Sequence, residues 1–306
     1  MFRTRRRDTS SPENYVGEFM KKIIITGSSG FIGKHLIEHL KVGYEVIAID
    51  KNEENREEDG VRYIRNDITH PEFKEDLGEI YALIHLAGIA GVRKSRENFQ
   101  EYVNSNIIGT KNLLELCVEK WKPQKIFLAS SSSVHDLKSP YAVTKKCTED
   151  LLKSYHRNGL LSDVECRVMR FYTVYGPNQR KGLAIQAFID KVLRDEPIVI
   201  NGDGFQSRDF TYIDDLCSEI QELLGMYPTR GYKTLEMGHG CSYSLYEVIN
   251  IIGEITGKEI KIKYAEPSRY DAIITRAPYD GLYENTKLRE GIRKQIEWTK
   301  EHLTSQ

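Results

Sequence analysis

Short apolar runs alternate with helix-spaced segments through the first half of the chain. KIIIT (22–26), GYEVIAID (43–50), VRYIR (61–65), YALIHLA (81–87), KIFLAS (125–130) and VECRVMRF (164–171) are rich in β-branched and aromatic residues and have strand length. Several are apolar almost without interruption, as strands covered on both faces are. KHLIEHLK, NSNIIGTKNLLELCVEK (104–120) and YAVTKKCTEDLLKSYH (141–156) carry apolar residues at helical spacing. This alternation predicts an α/β fold, a doubly wound parallel sheet with helices on both faces.

After residue 171 the rhythm breaks. YGPNQRKGLA and NGDGFQSRDF read as loops. Around them the pattern predicts helices near 184–194, 214–225, 244–256 and 286–303, with strands at 197–200 and 259–264. The expected organisation is a sheet domain over 20–171 and a small mixed C-terminal lobe over 172–306, with some of its segments returning to the sheet domain. Residues 1–19 are polar and arginine-rich. They read as a disordered leader or an added extension, with Met20 as a natural start.

Composition narrows the function classes. A chain of 306 residues suits one large domain with a smaller attachment. With 44 basic and 45 acidic residues, no global positive field points to nucleic acid. The apolar runs fall far short of the roughly 20 residues of a membrane span. The 5 cysteines include no CxxC pair, so no metal site is expected, and they read as reduced thiols of a cytoplasmic protein.

Gly27, Gly30 and Gly33 form GxxGxxG between the first strand and the first helix. The first allows a tight turn, the second close approach of a pyrophosphate, the third close helix–strand packing. The helix N-terminus then offers free N–H groups to phosphate. The second strand ends in Asp50, about 20 residues on, where a carboxylate accepts the ribose hydroxyls and repels a 2′-phosphate. This Rossmann-type arrangement favours NAD over NADP, with Lys51 next to Asp50 working slightly the other way. Asp67 and Ile68, after the third strand, are placed to flank the adenine. Leu86, Ala87 and Gly88, ending the fourth, are placed to let the backbone approach the cofactor.

Tyr141 and Lys145 stand at i and i+4 on one helical face, just after ASSSSV. A phenol at its ordinary pKa near 10 is a poor base, and a neighbouring ammonium favours its ionised form. Alone, this spacing is common by chance. Joined to the glycine turn, the acidic strand end and the serine strand end, it suits hydride transfer from a carbinol coupled to proton transfer.

With these features in one order, the chain resembles the extended short-chain dehydrogenase/reductases, and among them the NAD-dependent epimerase/dehydratase family of nucleotide-sugar enzymes. TGSSGFIGKHL, HLAGIAGVRKS, NSNIIGTKNLLE, ASSSSV, SPYAVTK, MRFYTVYGP and NGDGFQSRDFTYIDD carry the resemblance. It implies Ser131 as the catalytic hydroxyl beside Tyr141 and Lys145, with Ser132 and Ser133 lining the sugar pocket. It adds Phe31, Ile32 and Asn106 to the cofactor-binding positions, and Lys145 as a ribose ligand. Arg208 is similar to the arginine that grips a nucleotide diphosphate, and Arg269 is a second candidate clamp. Family dehydratases usually carry Asp-Glu after the catalytic hydroxyl. Ser132 and Ser133 stand there instead, which favours epimerase.

TVYGP followed by Gln179 and Arg180 is similar to the UDP-glucuronate 4-epimerase branch. It implies Thr173 in the substrate pocket and Arg180 facing a sugar carboxylate, although Lys181-Gly182-Leu183 replaces the branch's Pro-Asp-Met. Only nine residues separate Ser131 from Tyr141, a shorter loop than the family's. His135, where the family pattern has tyrosine, reads as a loop histidine without a role, with a pocket ligand as the alternative. The implied activity is NAD-dependent 4-epimerisation of a UDP-hexose or UDP-hexuronate through a transient 4-keto sugar, in a homodimer paired through helices near 97–120 and 141–157. A nucleotide-sugar 4-ketoreductase or UDP-uronate decarboxylase is the alternative on the same fold. A non-catalytic NAD-binding sensor is the alternative of another class, and the Tyr141–Lys145 pair counts against it.

Overall fold

The computed structural model describes residues 20–70, 76–267, 272–278 and 285–303. In chain order the strands are β1 (Lys22–Thr26), β2 (Glu45–Asp50), β3 (Arg56–Glu58), β4 (Val61–Arg65), β5 (Ala82–His85), β6 (Lys125–Ser131), β7 (Glu165–Phe171), β8 (Thr173–Tyr175), β9 (Ile198–Asn201), β10 (Ser207–Tyr212), β11 (Gly231–Met237), β12 (Ser242–Ser244) and β13 (Ile262–Ala265). The helices are α1 (Phe31–Leu40), α2 (Phe99–Tyr102), α3 (Gly109–Leu116), α4 (Pro140–Arg157), α5 (Ala184–Leu193), α6 (Ile213–Gly225), α7 (Leu245–Thr256) and α8 (Leu288–Leu303). A π-helical stretch at Val103–Ile108 joins α2 to α3, and a second at Cys117–Trp121 extends α3, giving one helical segment.

An eight-stranded sheet runs in the order β11-β7-β6-β5-β1-β2-β4-β3. Its strands are parallel except β3, which pairs antiparallel with β4. Successive side chains leave opposite faces of a strand, so one run feeds two cores. Ile23 and Ile25 enter the core on the α1 side, and Ile24 the core on the α3 side. Val46 and Ala48 part from Ile47 and Ile49 in the same way, as Phe127 and Ala129 do from Ile126 and Leu128. Each large aliphatic side chain buried like this stabilises the fold by roughly 1.5–3 kcal/mol.

The C-terminal half contributes a three-stranded sheet, β12-β10-β8, and a parallel pair, β13-β9. It also returns to the main sheet, where β11 pairs with β7 from Gly231↔Glu165 to Met237↔Phe171. The loop expected over NGDGFQSRDF is partly strand, because β10 begins at Ser207. Its polar start hid it. Asp209 is fully buried, and its carboxylate accepts the N–H groups of His239, Gly240 and Ala277. Charge inside a strand is tolerated when its lone pairs are satisfied.

Candidate active site

The neighbours β1 and β5 send the chain to opposite faces, α1 to one and α3 to the other. A crevice opens beyond the carboxyl ends of strands at such a switch point. The glycine turn sits there. Gly27 has φ +76°, and a Cβ on it would lie 2.6 Å from the Ala87 nitrogen. A Cβ on Gly33 would lie 2.3 Å from the Gly27 carbonyl oxygen. Both obstacles are backbone and cannot swing aside. Gly33→Ala should therefore destabilise the protein by about 1–3 kcal/mol and abolish co-purification of NAD. Thermal unfolding and the dinucleotide content of purified protein check this. Unchanged values in both would show that the turn tolerates the methyl.

The turn fits a dinucleotide. Gly30 caps α1 without a side-chain hydrogen bond, so the first-turn N–H groups are open to an anion. The buried Ser28 hydroxyl has no partner among the described residues. Asp50 accepts the Ser29 N–H at 3.3 Å and the Asn52 N–H at 3.0 Å, which holds its carboxylate beside the turn. Burial works to raise the Asp67 carboxyl, but hydrogen bonds from Thr69 and the nearby Lys51 charge bring it below its ordinary value. Ile68 is buried against Gly109.

A buried polar chain fixes the far lip of the crevice. Thr26 Oγ1 accepts the Ala87 N–H at 3.3 Å and lies 2.8 Å from His85 Nδ1. His85 Nε2 lies 2.9 Å from Thr110 Oγ1, which donates to the Asn106 carbonyl. Burial, with the Lys145 charge adding to it, pushes His85 down to about 3, so it stays neutral. Asn106, inside the first π-helical stretch, accepts the Ile89 N–H at 2.8 Å and donates to the Ile89 carbonyl and to Thr144. Its side chain is committed to the Gly88–Ile89 backbone, so it acts on the crevice by holding that backbone in place.

Tyr141 and Lys145 enter from α4. Ser139 caps this helix by accepting the Ala142 N–H at 3.2 Å, and Pro140 opens it. Both side chains line one cavity of about 840 Å³, together with Gly27, Gly30, Phe31, Ile32, Gly33, Leu86 and Gly88. Ser131, at the end of β6, favours the ionised form of the Tyr141 phenol. Ser131 in turn accepts the Ser133 hydroxyl at 2.9 Å.

Burial raises the Tyr141 phenol, and Ser131 and the Arg180 charge work the other way. Burial lowers Lys145 to about 8 against the pull of Glu149 one turn on. Lys145 is thereby brought close to exchanging its proton at neutral pH, as groups in proton-transfer sites are.

The opposite walls come from the C-terminal half. Ser132, Ser133, Thr173, Arg180 and Arg208 line the same cavity. Thr173 lies on β8 and Arg208 on β10, while Arg180 reaches back to the Ala90 carbonyl at 3.4 Å. Asp50, Asp67, Ile68, Ala87 and Asn106 lie outside the cavity lining, and Arg269 falls outside the described residues. Arg276 lines the cavity, donating to the Gly240 carbonyl at 2.8 Å, and sequence reasoning missed it. It lies outside regular helix and strand, so no local pattern marks it. Glu236, Tyr172 and His135 were missed too. Arg170 was a usable signal, since a charge inside the run VECRVMRF demands a buried partner.

A family model described as "NAD dependent epimerase/dehydratase family" matches residues 23–230. The UDP-glucuronate 4-epimerase of Thermodesulfobacterium geofontis is 34% identical over 318 residues, 92% of this chain and 96% of that protein. Among solved structures, MoeE5 in complex with UDP-glucuronic acid and NAD superposes with a TM-score of 0.84. It is 34% identical and covers 92% of this chain and 99% of its own. The UDP-glucuronic acid 4-epimerase of Bacillus cereus, in complex with UDP-glucuronic acid and NAD, gives 0.81 and 32% identity over 92% of this chain and 99% of its own.

Proposed function

The chain belongs to the NAD dependent epimerase/dehydratase family, and from that premise we propose a nucleotide-sugar 4-epimerase working on a UDP-hexuronate. The observation that carries the reading is Tyr141 in one cavity with the hydrogen-bonded Ser131–Ser133 pair, the buried Lys145 and the glycine turn. NAD, held at that turn, would supply a hydride acceptor that is regenerated within each turnover.

In this reading Gly27, Gly30 and Gly33, the first turn of α1 and Asp50 hold the dinucleotide, and Asp67 and Ile68 border its adenine end. Lys145 holds the nicotinamide ribose. Tyr141 removes the proton of the C4 hydroxyl while Ser131 hydrogen-bonds that oxygen. The 4-keto sugar turns over within the cavity, and Tyr141 returns the proton on the other face. Arg208 grips the diphosphate, where a planar guanidinium suits paired phosphate oxygens. Arg276 is placed to assist it. Ser132, Ser133, Thr173 and Arg180 meet the sugar, and Arg180 supplies the charge for a C6 carboxylate.

The only carboxylates among the described lining residues are Asp136 and Glu236. Glu236 is tied up by Arg170, Tyr172 and His135, which speaks against the acid-assisted loss of a hydroxyl that dehydration needs. The reading divides the work between residues 20–171, for NAD, and the C-terminal half, mainly for the sugar nucleotide. Exposed Phe99, Ile108 and Val143 on the 99–121 segment and α4 support pairing of two copies through these helices. No helix among the described residues is long and apolar enough to cross a membrane, and we place the protein in the cytoplasm.

The test is proton NMR of the purified protein with UDP-glucuronate and no added cofactor. The anomeric signal of the 4-epimer should grow to a fixed ratio. Turnover only with supplied NAD, forming NADH and the 4-keto sugar, would instead mean a ketoreductase running in reverse, and release of carbon dioxide a decarboxylase.

A further inference from the structure

His135 lies two residues past Ser133 in the same 3₁₀ turn and forms part of the cavity wall. Its Nε2 is 3.0 Å from Oε2 of Glu236, one residue before the end of β11. That carboxylate also accepts Arg170 Nη1 at 2.9 Å and the Tyr172 hydroxyl at 3.1 Å. Arg170 is shared, because its Nε and Nη2 bind both oxygens of Glu149 on α4 at 2.9 and 2.8 Å. Lys145 and Lys146 stand beside Glu149 on α4. On the turn's own loop, Asp136 and Lys138 face each other at 3.9 Å.

Three groups therefore contact Glu236. One is a guanidinium divided between two carboxylates, one is a phenol that burial keeps protonated, and the third is His135. Burial works to raise the Glu236 carboxyl, but His135 and Arg170 hold it below its ordinary range. It is an anion throughout the neutral region. Histidine is the side chain whose charge ordinarily changes between pH 5 and 8. When His135 is charged, the wall offers the sugar a balanced pair. When it is neutral, the wall shows the sugar a carboxylate backed by half a guanidinium.

We propose that His135 is a specificity-determining residue whose charge, against Glu236, sets how strongly the cavity prefers a hexuronate over a neutral hexose. The inference rests on the nucleotide-sugar reading above. A sugar carboxylate approaching this wall is repelled by Glu236 unless His135 is protonated, whereas a C6 hydroxyl is indifferent. The preference for the acidic sugar therefore weakens as pH rises through the histidine range.

The test is calorimetric binding of UDP-glucuronate, UDP-glucose and UDP between pH 5.5 and 8.5 to the NAD-loaded Tyr141→Phe protein, in which turnover is blocked. The diphosphate is common to both sugars and cancels in the ratio of their dissociation constants. That ratio should shift by about three- to tenfold against UDP-glucuronate as pH rises. Adding His135→Gln should make it independent of pH, near the alkaline value. Adding Glu236→Gln should move the ratio toward UDP-glucuronate at every pH, because the repelling carboxylate is gone. A flat ratio in the parent, or a pH dependence that survives His135→Gln, overturns the inference and leaves the nucleotide-sugar reading standing. Binding of UDP with neither sugar overturns both.

Discussion

Tyr141→Phe should reduce turnover roughly a thousandfold or more while the protein still carries NAD. The ring is retained, so its edge-on packing against Tyr102, with centroids 6.2 Å apart, survives. What is lost is the hydroxyl whose ionised form Ser131 favours. Burial holds this phenol above its ordinary pKa, so in the resting protein it is a hydrogen-bond donor at neutral pH. It becomes a base only when added positive charge favours the phenolate. Lys145 and, when bound, a cationic nicotinamide would together supply that charge. Single-turnover kinetics and the absorbance of bound dinucleotide after desalting check the prediction. If Tyr141→Phe turns over normally, the tyrosine is not the acid–base group. If NAD is lost along with activity, the residue acts through binding.

Lys145→Met should abolish turnover and, in protein freed of dinucleotide, raise stability at pH 7 by about 2–3 kcal/mol. The ammonium is buried and titrates at about 8, against an ordinary 10.5. Below pH 8 the fold holds a charge that the unfolded chain solvates better, so the penalty is fully present there. It is relieved as pH climbs from 8 toward 10.5, because the folded form sheds its proton first. Methionine has nearly the same length and no charge to desolvate. Urea unfolding of both proteins at pH 7 and near pH 10.5 should show the variant ahead at the first and level at the second. A variant that is less stable at pH 7 would show that Glu149 more than compensates the buried charge. Stability given up at a reacting group is common in enzymes.

The half of the fold made of strands covered on both faces was legible because burial writes itself as continuous apolar runs. The strands that escaped are at edges or in the smaller sheets. Gly231–Met237 reads GYKTLEM, with exposed Lys233 and with Glu236 answering a partner rather than solvent. Strand β3, REE, is exposed throughout. Within the site, the glycine turn and the Tyr141–Lys145 pair were legible because the required spacing is local. Arg276, Glu236 and Tyr172 are assembled by tertiary contacts between distant segments, and no window of sequence holds that information. Asn106 was placed with the cofactor by likeness, and its bonds to the Ile89 backbone could not be read from any local pattern.

The pairing of β11 with β7 also bears on how the molecule is made. A nascent chain that has left the ribosome only as far as Phe171 presents β7 with one side bare, since its neighbour beyond β6 has not been synthesised. A bare apolar strand edge is a template for the wrong partner. Glu236 and Met237 arrive with the strand that covers it. Protection of that edge and the arrival of Glu236 at the cavity wall therefore come in the same step of synthesis.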